Sequence, residues 1–282
     1  MGKTVSQLLT QATNKLRSIT DTPSLDASLL FEEATGLNKV KQITYNTLEI
    51  DDDKISYFNT LIERRLNSEP IAYILEKKEF YAREFKVNKH TLIPRPDTET
   101  IIEEVTSYIN SLDFEPKVLD LCTGSGCIAI TLALENNLNE ISLSDISPEA
   151  LEVAKYNANK LYSKKINIIE SNLLENCDKY DIIVSNPPYL TRQWCEEVSD
   201  EVKQEPILAL EGFGEDGLDL IRKIIIQSKN HLIGHHSAIF FECDSRQCEK
   251  VRELLKEANF INIEIIKDLA NKDRIVKGIY ER

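Results

Sequence analysis

The segment Ser185-Asn186-Pro187-Pro188-Tyr189 holds the residue types best suited to chemistry. Consecutive prolines lock the backbone. They leave the Asn186 and Pro187 carbonyls without a helix or ladder to join. A planar –NH2 group fits such a frame, with one hydrogen donated to the Asn186 side-chain oxygen and the other to the Pro187 carbonyl. The ring of Tyr189 then packs flat on the planar group. An amide nitrogen is a poor nucleophile because its lone pair is delocalised. Holding it in line with an electrophilic methyl gains mostly from positioning. The acceptors also stabilise positive charge developing on nitrogen. No strong general base is required if the proton leaves after methyl transfer. The plainer alternative is a rigid proline turn with a helix cap.

A second candidate lies upstream, in Val118-Leu119-Asp120-Leu121-Cys122-Thr123-Gly124-Ser125-Gly126-Cys127. A strand runs into a tight glycine turn and then a helix. Gly124 and Gly126 can take positive φ and let a ligand approach the backbone, and the helix start offers unpaired N–H groups. The turn lacks the full G-x-G-x-x-G fingerprint, and no Lys-Ser/Thr ends it as in a phosphate-binding loop. The next strand ends in Asp145, where a carboxylate can accept from both ribose hydroxyls. This favours an adenosine-type cofactor over the simpler role of capping the helix near Ser147-Pro148. After the third strand, polar Asn172 beside apolar Leu173 is suited to binding and covering an adenine ring.

The elements that must position these residues fall into two parts. Residues 1–78 read as a small helical bundle, an N-terminal domain. Val5, Leu8, Leu9, Ala12 and Leu16 recur at helical spacing, Pro23 suits a first turn, and Gly36 is placed to stop the second helix. Asp51–Asp53 precede a run with Ile55, Phe58, Leu61, Ile62 and Leu66 on one side. Residues 79–96 read as a β-hairpin connector ending in two stiffening prolines, with Asp97 or Thr98 as cap of the helix at 101–109. Residues 97–282 read as a second domain, the one that carries both candidate motifs. There, strands near 117–121, 141–143, 166–169, 180–185 and 238–242 alternate with helices near 128–134, 148–161, 218–232 and 251–258. Strands near 261–267 and 274–281 close the chain. The pattern predicts an α/β fold with a mostly parallel sheet covered on both faces.

The composition narrows the function classes. The 282 residues carry 34 Lys+Arg against 47 Asp+Glu, a net charge of −13. Residues 1–85 hold 11 basic and 13 acidic residues, so residues 86–282 hold 23 and 34. That balance opposes a protein whose main work is gripping nucleic-acid backbone. No run is apolar enough for a membrane span or a secretion signal, so no membrane partner is expected. The six cysteines form no C-x-x-C pair, His231, His235 and His236 lack partners at zinc spacing, and no metal is expected. Free thiols in a cytoplasmic protein are the simplest account.

Taken with Glu69-Pro70-Ile71-Ala72-Tyr73-Ile74, Phe80, Leu92-Ile93-Pro94-Arg95-Pro96-Asp97-Thr98-Glu99, Glu205-Pro206-Ile207-Leu208-Ala209-Leu210 and Asn271-Lys272-Asp273-Arg274, these motifs resemble the PrmC/HemK family. Its members are protein-(glutamine-N5) methyltransferases of peptide chain release factors. The resemblance covers nearly the whole chain. It implies a class I S-adenosylmethionine-dependent methyltransferase domain, Rossmann-like, with a seven-stranded sheet whose last strand is antiparallel. A helical N-terminal domain that helps hold the release factor precedes it. It implies S-adenosyl-L-methionine as cofactor and the glutamine of a Gly-Gly-Gln motif as target. Cys122, Thr123, Gly124, Ser125, Gly126 and Asp145 would then hold the methionine and ribose parts, with Asn172 and Leu173 bordering the adenine. Asn186 borders the cofactor as well, and Asn186, Pro187, Pro188 and Tyr189 grip the substrate amide. The Pro94–Glu99 segment, with Arg95 as a substrate-binding residue, borders the site, and Leu92 lines the glutamine pocket.

There are departures from the family pattern. Cys122 stands where many members have glycine, which argues against a positive φ there. Asn172 replaces a usual Asp, which implies a weaker cofactor contact. Glu76 replaces a frequent glycine, and Glu242-Cys243-Asp244 replaces Glu-Ile-Gly. Two competing activities share the amide-gripping motif. One is a nucleic-acid methyltransferase acting on adenine N6 or cytosine N4, which must unstack its base. The other is a ribosomal-protein glutamine methyltransferase.

Overall fold

Local signals set the helical part. Thr4 and Gln7 form a reciprocal capping box at the start of α1 (Val5–Leu16). Pro23 opens α2 (Pro23–Thr35), which Gly36 ends at φ 73°. The short α3 (Lys39–Thr44) follows, then α4 (Asp52–Leu66) with two acidic residues in its first turn, and α5 (Ile71–Ile74). The apolar faces of α1, α2 and α4 meet in one core, where Phe31 and Phe58 pack edge to face at 5.3 Å. The computed structural model describes residues 2–281. It divides into two units, the first running to Glu76 and also taking in Ser199–Gln204. Within this unit, buried Arg65 donates to Asp26 at 2.8 Å and to Glu201 at 2.9 Å. A buried guanidinium held by two carboxylates is fully partnered, as such burial requires.

The second unit comprises Lys77–Val198 and Glu205–Arg282. The antiparallel hairpin β1 (Lys77–Phe80) and β2 (Arg83–Lys86) groups with it. Its chain then runs α6 (Glu99–Asn110), β3 (Val118–Leu121), α7 (Cys127–Glu135), β4 (Glu140–Asp145), α8 (Pro148–Leu161) and β5 (Lys165–Glu170). After β6 (Ile182–Ser185) come α9 (Arg192–Glu197), α10 (Asp219–His231), β7 (Ser237–Glu242), α11 (Cys248–Glu257), β8 (Ile261–Lys267) and β9 (Asp273–Tyr280). The seven-stranded sheet has the order β5-β4-β3-β6-β7-β9-β8. Pairs among β3 to β7 are parallel, and β9 is antiparallel to both neighbours.

Every residue of β3, β6 and β7 is buried, as a sheet covered on both faces demands. Alternate residues feed two cores. Val118, Ile182, Val184 and Phe240 pack with α6, α7 and α8, whereas Leu119, Ile183, Ile239 and Phe241 pack with α10 and α11. None of the helices in the described residues is long and apolar enough to cross a membrane.

One local expectation is corrected. A 3-10 turn spans Pro96–Thr98, and no side chain caps α6. Asp97 instead accepts from Arg274 at 3.0 Å, and the Thr98 hydroxyl accepts from Asn186. Both candidate caps are taken up by distant partners.

Candidate active site

The chain leaves β3 toward β4 on one side and returns through β6 on the other, so β3 and β6 flank the point where strand order reverses. Ligands of open α/β sheets bind at the carboxyl ends of strands at such a point. Leu121 pairs with Ser185 across these strands. Their successors, Cys122 and Asn186, therefore emerge side by side at one edge.

The turn after β3 is held from beneath by Asp120. This wholly buried carboxylate accepts from the Thr123 hydroxyl at 2.6 Å and from the Ala129 amide at 3.0 Å. Burial pushes its pKa up to about 7 against those two hydrogen bonds, and its Oδ1 has no partner among the described residues. Gly126 sits at φ 79°, and a Cβ there would meet Ile130 at 3.2 Å and Ala154 at 3.3 Å. Gly124, at φ 55°, would meet nothing within 4 Å, so its backbone is open to an approaching ligand. Asn157, wholly buried on α8, donates to the Ser125 carbonyl at 2.9 Å and exchanges hydrogen bonds with the backbone of Lys86. It ties the glycine turn to β2.

Cys122 departs from expectation. It adopts φ 62° although it is not glycine, as does Glu76 at φ 52°. The turn geometry overrides the side chain, at a cost of about 1–2 kcal/mol for a left-handed L-residue. Cys122→Gly is therefore expected to be more stable than Cys122→Ala by about 1–2 kcal/mol, since both lose the thiol and only glycine relieves the backbone. Chemical denaturation of the two variants checks this, and equal midpoints would count against the strain. Removal from water, with Asp145 beside it, holds the Cys122 thiol well above the usual thiol range. It supplies no thiolate nucleophile.

Asp145 ends β4. Its Oδ2 accepts from the Gly124 amide at 2.9 Å and its Oδ1 from the Ser147 amide at 3.0 Å. Burial raises its pKa, opposed by those amides. The cap of α8 is the Ser147 side chain, which accepts from the Ala150 amide at 3.1 Å, so Asp145 is free of that duty. Asn172 is exposed and donates to Glu175 at 2.8 Å, while Leu173 is buried with φ 53°.

After β6, Asn186 donates from Nδ2 to Thr98 Oγ1 at 3.4 Å. Neither its Oδ1 nor the Pro187 carbonyl receives a hydrogen bond among the described residues. The exit of the motif is wedged tightly. A Cβ on Gly212 would lie 2.7 Å from the Pro188 carbonyl oxygen, and one on Gly217 would lie 2.3 Å from that of Tyr189. Gln247 also donates to the Tyr189 carbonyl at 2.7 Å.

A cavity of about 610 Å3 opens at this edge. It is lined by Leu92, Arg95, Cys122, Thr123, Gly124, Ser125, Asp145, Asn172, Leu173, Asn186 and Pro188. Gly126, Pro187 and Tyr189 are not among its lining residues. The Tyr189 hydroxyl acts on Glu242 instead, and burial drives its pKa far up. Arg95 faces the cavity with its guanidinium paired to buried Glu205, which also accepts from the Ile93 amide at 2.9 Å. Phe213, Leu220 and Lys223 also line the cavity, selected only by proximity in the fold, and so does Thr98 of the Pro94–Glu99 segment.

Comparison with known proteins agrees with this geometry. Residues 98–209 match the methyltransferase small domain, and residues 7–75 match the PrmC N-terminal domain. The chain is 38% identical over 260 residues to a release factor glutamine methyltransferase of Clostridium acetobutylicum, covering 90% of each. It is 36% identical over 275 residues to the protein of that name from Buchnera aphidicola subsp. Baizongia pistaciae, covering 97% of this chain and 98% of that one. A solved 16S rRNA methyltransferase from T. thermophilus, in complex with AdoMet and guanosine, shares the fold. The TM-score is 0.52 at 17% identity, over 73% of this chain and 50% of that one.

The fold is that of a class I methyltransferase, and the T. thermophilus protein that shares it is in complex with AdoMet. The residues present fit it. The cavity is large enough, Gly124 leaves its backbone bare, and Asp145 presents a carboxylate with lone pairs to spare. With both domains matched and two relatives aligned along nearly their full lengths, the chain belongs to the release factor glutamine methyltransferase family.

Proposed function

We propose that this enzyme methylates the side-chain amide nitrogen, N5, of the glutamine in the Gly-Gly-Gln motif of peptide chain release factors, in the cytoplasm. The observation that carries the reading is the pair of unengaged acceptors, Asn186 Oδ1 and the Pro187 carbonyl, beside a cavity lined by the glycine turn and Asp145. Bound there, S-adenosyl-L-methionine supplies an electrophilic methyl on a sulfonium.

In this reading, Asp145 accepts from the ribose hydroxyls and the backbone of residues 122–126 receives the methionine part. Asn172 and Leu173 border the adenine. Asn186 and Pro187 each accept one N–H of the substrate amide and fix its plane. As the nitrogen begins to carry positive charge, those acceptors strengthen, which lowers the barrier. Pro188 keeps the two acceptors in register. Leu92 and Arg95 wall the glutamine channel, with Glu205 holding Arg95 in place. The extra proton leaves after transfer, when the methylated nitrogen is strongly acidic. The acidic surface, net −13 overall, favours a protein acceptor over a polyphosphate one.

The test offers the protein labelled S-adenosylmethionine with one of four acceptors. These are release factor, release factor with its Gly-Gly-Gln glutamine changed to alanine, ribosomal protein, and DNA. Label is expected on the first alone. Label on DNA, or equal label on the altered factor, overturns the reading.

A further inference from the structure

Two buried polar side chains, Thr98 (beside Asn186) and Glu242, take no part in the chemistry derived above. Thr98 is 2% exposed and caps nothing. Its Oγ1 accepts from Asn186 Nδ2 at 3.4 Å. Glu242, the last residue of β7, is 1% exposed, its charged form is favoured by the Thr98 and Tyr189 hydroxyls, and its Oε2 has no partner among the described residues. A buried carboxyl without an ion pair at contact distance is costly and calls for a reason.

The reason lies in the direction of the hydrogen bonds. A primary amide presents two nearly isosteric ends, one accepting and one donating. If Asn186 turned its NH2 toward the cavity, two donors would face each other and the substrate would not be held. An ionised carboxylate accepts only, and a hydroxyl has a single hydrogen. If Thr98 gives that hydrogen to Glu242, only its lone pairs remain for Asn186. The amide must then point Nδ2 at Thr98 and Oδ1 away from it. We propose that Glu242 and Thr98 are positioning residues for methyl transfer, the carboxylate orienting the hydroxyl and the hydroxyl fixing the Asn186 amide with Oδ1 toward the substrate –NH2. This rests on the reading of Asn186 as the amide acceptor.

The arrangement is sensitive to protons. Burial raises the Glu242 pKa to about 7, opposed first by the Thr98 hydroxyl, then by Arg274 of β9, with Asp97 pushing it up and Tyr189 pulling it down. The Cys127 and Cys243 thiols also feel its charge. A protonated Glu242 becomes a donor, and Thr98 is then free to turn its hydrogen toward Asn186. Turnover is thus expected to be full above this pKa and to fall as pH drops through it.

Thr98→Val, Thr98→Ser and Glu242→Gln test the relay in the full-length enzyme, with kcat measured across pH 5.5–8.5. Affinity for S-adenosylhomocysteine is measured by calorimetry, and folding by melting. Thr98→Val is expected to lower kcat by about 10- to 100-fold, the effect of losing one buried hydrogen bond of a charge-assisted chain. Cofactor affinity should stay within about twofold, because the hydroxyl acts on Asn186 and not on Asp145. Thr98→Ser restores kcat, and Glu242→Gln removes the acid limb near pH 7. Unchanged kcat in Thr98→Val, no rescue by serine, or an acid limb kept by Glu242→Gln overturns the proposal. Rates are read as ratios to wild type on whichever acceptor wild type labels. Failure of the relay is thereby separate from failure of the release-factor reading, which the wild-type acceptor test decides alone.

Discussion

Asn186→Ala lowers kcat/KM for release factor by about 100-fold or more, the loss expected when a preorganised transition-state contact is removed. In the proposed reading, the truncation takes away the Asn186 side-chain acceptor and leaves the Pro187 carbonyl alone to hold the substrate amide. With one of two anchors gone, the planar group can rotate out of line, and developing charge on nitrogen meets one acceptor fewer. Cofactor affinity changes far less, because Asp145 and the glycine turn hang from other strands and keep their own hydrogen bonds. Asn186→Asp separates acceptor from donor. It keeps an oxygen toward the substrate but sets a second acceptor against Thr98, whose single hydrogen cannot serve it and Glu242 together. It is expected to fall between alanine and wild type. Steady-state labelling with calorimetry of S-adenosylhomocysteine checks both, and near-normal turnover of Asn186→Ala would remove the residue from its role.

Residues with local punctuation were legible in the sequence. Ser147-Pro148 starts α8 and the helix runs to Leu161, as its spacing predicts, because the cap and the proline act through near neighbours. Strand β8, Ile261–Lys267, follows from its apolar alternation. Helices α3, α5 and α9 are not legible, since runs of four to six residues carry too little periodicity to register. The hairpin strands end at Lys86 rather than near Leu92, because the segment before Pro94 is held by Glu205 through the Ile93 amide instead of by a ladder. The positive φ of Cys122 escapes a reading based on residue preference, because the turn needs it whatever side chain is present. Thr98, Asn157 and Glu242 escape for another reason. Each acts on a partner far along the chain, and threonine, asparagine and glutamate are unremarked residue types until the sheet brings them to the site. Strand-end motifs were readable because one segment holds all their parts, whereas the supports behind them exist only after folding.

Asp145→Asn raises the dissociation constant for S-adenosylhomocysteine by about 100-fold, the scale of two hydrogen bonds to a charged group, each of about 1.5–3 kcal/mol before their mutual dependence. The carboxylate already accepts from the Gly124 and Ser147 amides at 2.9 and 3.0 Å, one on each oxygen. In the proposed reading, its remaining lone pairs are what the ribose hydroxyls require. An asparagine turns one oxygen into a donor, so either a turn amide or a hydroxyl must lose its acceptor. Losing the Gly124 contact loosens the turn that the methionine part approaches, and losing a hydroxyl contact weakens the cofactor directly. Both routes lower affinity, and neither touches Asn186. Turnover at saturating cofactor is therefore expected to stay within several-fold of wild type, the reverse of the Asn186→Ala pattern. The pH dependence gives an independent check. Burial raises the Asp145 pKa above the ordinary carboxylate value. A protonated carboxyl gives up an acceptor position, so wild-type affinity falls as pH drops through that raised pKa. The Asp145→Asn variant, which cannot titrate, should show weak binding with no such slope. A variant that binds S-adenosylhomocysteine as tightly as wild type, or that keeps the slope, would place the ribose contact elsewhere in the cavity.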